Sequence, residues 1–204
     1  MSAIFSAIIA MLTMMSLVGT THTASEAAPA VEPIEVDATA YNSANWPTHN
    51  RSGLNAKNVQ GKELEIQLGS ETWLTAKKNI EGKVLVLDFW AVWCPPCRAA
   101  EPKFHALQKA HTDKLEIIAI SGQGEDQDTV ESYIGKKTDL NYTHLFDQEQ
   151  RIYKSLQIRA IPHVVILSTD GVVRWQGNPH QKAFKQALEQ VIENDPLIQA
   201  KFAG

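Results

Sequence analysis

The chain has 204 residues, room for one ordinary domain plus extensions. Its 23 acidic and 19 basic residues leave a net charge of −4, which offers no basic field for holding a nucleic acid. Its only cysteines are Cys94 and Cys97, with no histidine close to them in sequence, too few for a disulfide scaffold or for the four ligands of a structural zinc site.

Residues 3–19 carry no charged side chain and are mostly Ala, Ile, Leu, Met, Phe and Val. That is the pattern of the apolar region of a secretory signal, with Ser25-Glu26-Ala27 as a cleavage edge. At about 17 residues the run is also at the short limit for a spanning helix, so an uncleaved membrane anchor is the alternative. Either reading exports the domain. Residues 1–24 are therefore taken as signal peptide or anchor. Residues 25–60, which open with a run rich in Ala, Glu and Pro, are taken as linker and irregular extension, with Tyr41 and Trp46 packing on the domain edge. Residues 61–195 form the domain, and residues 196–204 a tail.

Within the domain, Glu63-Leu64-Glu65-Ile66-Gln67-Leu68 alternates polar and apolar, as a half-buried edge strand does. Val84-Leu85-Val86-Leu87-Asp88-Phe89-Trp90 is apolar enough to be a strand covered on both faces. The run from Arg98 to His111 predicts a helix with Phe104 and Leu107 toward the core. Leu115 to Ser121 is the next buried strand, and Gly122 to Asp128 a polar turn, with Asp128 as the cap of a helix over 129–136. Tyr142 to Phe146 predicts a further strand and Asp147 to Leu156 a capped helix. Thr169-Asp170-Gly171 between His163–Leu167 and the run 172–175 is a hairpin signal. Ala183, Phe184, Ala187, Leu188, Val191 and Ile192 recur at helical spacing, and Asn194-Asp195-Pro196 ends that helix.

Between the buried strand and the helix lies Trp93-Cys94-Pro95-Pro96-Cys97. Proline is tolerated in a first helical turn because those N–H groups have no intrahelical acceptor. Cys94 then sits at the helix start, exposed, and Cys97 just inside. The positive end of the helix dipole favours a thiolate, the species that attacks a disulfide. A purely structural disulfide is the plain alternative, but closing so short a loop removes little chain entropy.

This stretch, followed by Arg98-Ala99-Ala100-Glu101-Pro102, resembles the active site of the TlpA/ResA-like thiol–disulfide oxidoreductases of the thioredoxin superfamily. The resemblance runs from about Gly61 to Asn194. It implies an α/β thioredoxin fold: a central mixed β-sheet flanked by helices, with a TlpA-like αβ insertion between Ser121 and Ile158 and an N-terminal edge strand. Glu71-Thr72-Trp73-Leu74 and Glu81-Gly82-Lys83 resemble the lead-in to the first central strand. The resemblance places Asp88 beneath Cys97 as a buried acid that accepts its proton; alternation in the strand leaves its facing open. It makes Ile161-Pro162 the cis-proline loop against the disulfide, where Ile161 pairs with substrate backbone and shields the sulfurs. It sets Glu101 as an acid that tunes the thiols and Pro102 as the kink proline; Trp93, by its position beside Cys94, reads as a shield at the substrate surface, with plain core packing as the alternative. His163 reads as a strand residue rather than a base.

The implied activity is exchange with protein thiol and disulfide substrates through a mixed disulfide, sustained by an upstream thiol electron donor, with no cofactor. Two other classes compete. Peroxiredoxins resemble a pattern with Thr three residues before the reactive Cys, and here that position is Ala91, without the hydroxyl. A copper-binding module would use the same two thiols for a soft ion.

Overall fold

The computed structural model describes residues 34–64, 68 and 71–203. The apolar run 3–19, its cleavage edge and the middle of the strand expected over 63–68 lie outside the described residues. Among the described residues no helix is long and apolar enough to cross a membrane.

The helices are α1 Ala38–Ser43, α2 Pro95–Ala110, α3 Gln127–Ile134, α4 Arg151–Ser155, α5 Lys182–Asn194 and α6 Pro196–Phe202. The strands are β1 Thr72–Trp73, β2 Val84–Phe89, β3 Leu115–Ser121, β4 Thr143–Phe146, β5 His163–Leu167 and β6 Val173–Gly177. They form one mixed sheet in the order β1-β4-β3-β2-β5-β6. β2, β3 and β4 run parallel because helices α2 and α3 carry the chain back between them. β5 and β6 are an antiparallel pair beside β2, joined by the Asp170-Gly171 turn.

β2 lies in the middle of the sheet, and its side chains alternate between two apolar layers. Val84 and Val86 join Ala100, Phe104 and Leu107 of α2 and Phe184, Leu188 and Val191 of α5. Leu87 and Phe89 join Ile152 and Tyr153 of α4 and Val59 of the N-terminal segment. The period of two therefore puts Asp88 on the α2 face, a facing that the sequence pattern leaves open.

Several local expectations change. Among the described residues one sheet edge is Thr72–Trp73, on β4, and Glu63 bridges Val172 ahead of β6. α3 is capped by Asp126, not Asp128: its carboxylate accepts from Thr129 N–H at 2.7 Å, the three-residue reach a cap needs, and Asp128 falls in the first turn. α4 is shorter than the helix expected from Asp147. The Asp147 carboxylate stays outside and accepts the N–H groups of Arg151, Ile152 and Tyr153 at 2.8, 2.8 and 3.2 Å.

The residues read as a tail form α6, with Ile198 fully buried. Buried Asp195 explains this: it accepts from Leu197 N–H and Ile198 N–H, and also from the backbone and hydroxyl of Thr169 in the hairpin turn. The extension before the domain is irregular apart from α1 but is tied down. Tyr41 and Thr169 share a hydroxyl bond, and Val59 N–H donates to Gln176. Replacing Asp195 by Ala removes a cap and strands donors in both elements, so a loss of about 2–4 kcal/mol is expected. Urea unfolding measures it; a midpoint equal to the parent's would show that α6 docks without this carboxylate.

Candidate active site

The N-terminus of α2 carries the two cysteines as a disulfide, with Cα atoms 5.3 Å apart. Cys94 is the N-cap, in extended backbone, and Pro95 and Pro96 occupy the first helical positions. The first N–H the helix can offer is therefore that of Cys97, and it points at Cys94 Sγ, 3.3 Å away. Pro102 lies inside the helix, as expected.

Cys94 is not exposed. It is 3% accessible and Cys97 2%, because both sulfurs join the apolar cluster between α2 and the sheet, with Ile161 packed against it. What projects instead is Trp93, 55% exposed, whose indole N–H donates to the Gln123 carbonyl at 2.8 Å. The Ile161–Pro162 peptide is cis.

Asp88 is buried on the α2 side of β2, and its Oδ1 has no hydrogen-bond partner among the described residues. Burial first, and the Glu101 charge second, push its carboxyl well above the ordinary aspartate value. Glu101, one turn along α2 from Cys97, accepts from the Tyr133 hydroxyl and the Lys137 ammonium, both at 2.6 Å. Both donors follow β3, in the inserted segment. His144 lies stacked on Tyr142 and edge-on to Trp90; burial lowers it to about 3, so it is neutral over the working range. His163 is buried in β5 and likewise lowered by burial, to about 4.

Three residues that sequence reasoning misses hold this end of the sheet. Glu125 accepts Val92 N–H at 2.8 Å, and burial raises its carboxyl. Its loop leaves β3 through Gly122 at φ 122°, where a Cβ would meet the Asp147 carbonyl oxygen at 2.5 Å. The Tyr153 hydroxyl lies 3.0 Å from the Trp90 carbonyl and 2.9 Å from that of Ile120, bridging the ends of β2 and β3. His180 Nε2 lies 2.8 Å from the Pro96 carbonyl, between the cysteines. Local pattern signals none of them; each acts across a long stretch of chain. Among the described residues no cluster of three or more His, Cys, Asp or Glu is placed to hold a metal ion.

A family model described as thioredoxin-like matches residues 82–173. Thioredoxin-like protein YneN of Bacillus subtilis is 30% identical over 141 residues, covering 63% of this chain and 82% of the relative. The chain belongs to the thioredoxin-like family. Thiol-disulfide oxidoreductase ResA of Bacillus thuringiensis is 26% identical over 136 residues, 66% of this chain and 70% of that protein. The exposed lipoprotein thioredoxin of Streptococcus pneumoniae superposes with a TM-score of 0.52 at 19% identity, over 60% of this chain and 96% of its own. That similarity speaks to the fold. This thioredoxin-like protein is a thiol–disulfide oxidoreductase.

Asp88 works against folding. Its folded pKa is raised, so above the ordinary value of 3.8 the unfolded chain ionises while the folded one holds its proton. Stability contributed at low pH is lost as pH rises toward the folded pKa, by about 1.4 kcal/mol per pH unit at most. Asp88→Asn should therefore be no less stable than the parent at pH 4 and progressively more stable toward pH 7. Thermal melts across that range test it, and a parallel offset at all pH values would exclude the burial argument.

Proposed function

We propose that the chain is an exported reductant of protein disulfides working through a mixed disulfide. The observation that carries this is the Cys94–Cys97 pair at the start of α2, with the single available N–H of that turn aimed at Cys94. The Cys94 thiolate attacks one sulfur of the substrate disulfide. The substrate S–S bond breaks, one substrate thiolate leaves, and a Cys94–substrate bond forms. Cys97 then gives its proton to Asp88 in those molecules where Asp88 is ionised; burial makes that carboxylate a stronger base than an ordinary aspartate and limits how many molecules carry it. The Cys97 thiolate attacks Cys94 Sγ, closing the Cys94–Cys97 bond and releasing the second substrate thiolate. Two electrons have passed to the substrate, and an upstream dithiol donor must return two by the reverse exchange.

Trp93, Ile161 and Pro162 form the substrate surface: the exposed indole and the backbone of Ile161 meet an extended peptide by strand-like pairing. Glu101 tunes the thiols through its charge on Asp88. Export through residues 3–19, cleaved or retained as an anchor, is part of this reading; mature protein recovered outside the cytoplasm supports it.

The reducing direction follows from the first turn. A strong oxidant needs a highly stabilised Cys94 thiolate, and two of the N–H groups that would supply it are replaced by Pro95 and Pro96. A potential near thioredoxin's, about −270 mV, is expected, and one near the −120 mV or so of DsbA would reject the direction. In the reduced protein Cys94 should alkylate faster than Cys97, by virtue of its place at the helix start, since both sulfurs are nearly covered. Cys97→Ser should trap substrates on Cys94 in non-reducing gels, and identifying them names the partners. Trapping through Cys97 alone, in the Cys94→Ser variant, would reverse the assignment. With both cysteines in place, Asp88→Asn should slow resolution of the mixed disulfide by Cys97 about tenfold or more near neutral pH in rapid-quench assays.

A further inference from the structure

The Pro96 carbonyl and the Cys97 N–H belong to one peptide group. Its N–H lies 3.3 Å from Cys94 Sγ. Its oxygen lies 2.8 Å from His180 Nε2. A carbonyl only accepts, so Nε2 carries the hydrogen and donates. The imidazole, one peptide and the reactive sulfur therefore stand in line, as Nε2–H···O=C–N–H···Sγ. A donor on the oxygen draws electron density along the conjugated C–N bond and makes the N–H a stronger donor. In most helix starts several N–H groups would share this task. Here Pro95 and Pro96 have none, so the gripped peptide supplies the only donor before the second turn.

We infer that His180 is a positioning residue for the Cys94 sulfur, acting through the Pro96–Cys97 peptide to favour the thiolate. The inference rests on Cys94 being the nucleophile. It goes beyond a surface clasp because the loop is held independently of the imidazole. Lys103 Nζ donates to the Pro179 carbonyl at 2.7 Å. Asn178 Oδ1 accepts the His180 backbone N–H at 2.8 Å, and Asn50 donates to the Gln181 side chain at 3.1 Å. Removing the ring leaves these ties in place.

The test uses the full chain, reduced, with iodoacetamide and a glutathione buffer as probes. In His180→Phe the pH midpoint of Cys94 alkylation should rise by about half a unit, a threefold loss of thiolate character. The glutathione equilibrium should move about threefold toward the disulfide form, about 14 mV more reducing. His180→Leu makes the same deletion, so a misfit of the phenyl ring does not decide the result. His180→Gln, whose amide can still donate to the carbonyl, should recover at least half of both shifts. Lys103→Met, which loosens the loop and spares the line of bonds, should shift neither. An unchanged midpoint and equilibrium in both deletions, or an equal shift in Lys103→Met, overturns the inference. Mass mapping of the alkylated cysteine reports the nucleophile assignment separately, so failure of the proposed function is distinguishable.

Discussion

Everything at the redox end of this molecule depends on burying β2 on both faces. A strand paired with β3 on one side and β5 on the other has no freedom to slide, because each one-residue slip would turn its apolar set to the wrong layer. That fixed register decides which way Asp88 points and where the chain leaves the sheet for Trp90 to Cys94. The Tyr153 hydroxyl and the Glu125 carboxylate then hold the exit, at Trp90 and Val92, so the start of α2 is set by contacts from β3, α4 and the loop between β3 and α3.

The tension in the site is electrostatic. Asp88 sits without a hydrogen-bond partner among the described residues for one oxygen, close enough to feel the charge of a second acid, in a largely apolar layer. Such a group costs stability at the pH where the protein works, and a fold keeps it only where the surrounding packing over-determines the structure. His144 shows the opposite response in the same layer. Its folded pKa is lowered, so its neutral form is lost from the unfolded chain first, and stability declines as pH falls from 6.5 toward about 3. The two groups press on folding from opposite sides of the pH scale.

The parts of this arrangement legible in the sequence are those with local rules. An apolar run, a Cys-Pro-Pro-Cys step and a helical period name β2, α2 and the disulfide, and resemblance places Ile161-Pro162. Asp88 is legible as a residue but not as a facing, since alternation in a strand buried on both sides carries no sign. The burial of Cys94 escapes local pattern, which gives position on a helix, while cover comes from Ile161 and the apolar cluster between α2 and the sheet. His180 and Glu125 lie 84 and 33 positions from their partners in the chain, and no short-range rule joins them. α6 is hidden by the reverse effect: Asp195-Pro196 is a stop signal for one helix and a start signal for the next.

The Glu101 contacts have a consequence for how such a chain can change over generations. Its carboxylate, with a side chain only 15% exposed, is satisfied by Tyr133 and Lys137 alone among the described residues, both in the segment inserted after β3. Excising that segment in a single event would leave an unneutralised acid against Asp88. The segment and Glu101 are therefore coupled: a chain that sheds the helix must replace the glutamate as well, and one that loses the glutamate leaves Lys137 without its carboxylate while Tyr133 is still held by its packing on Trp90.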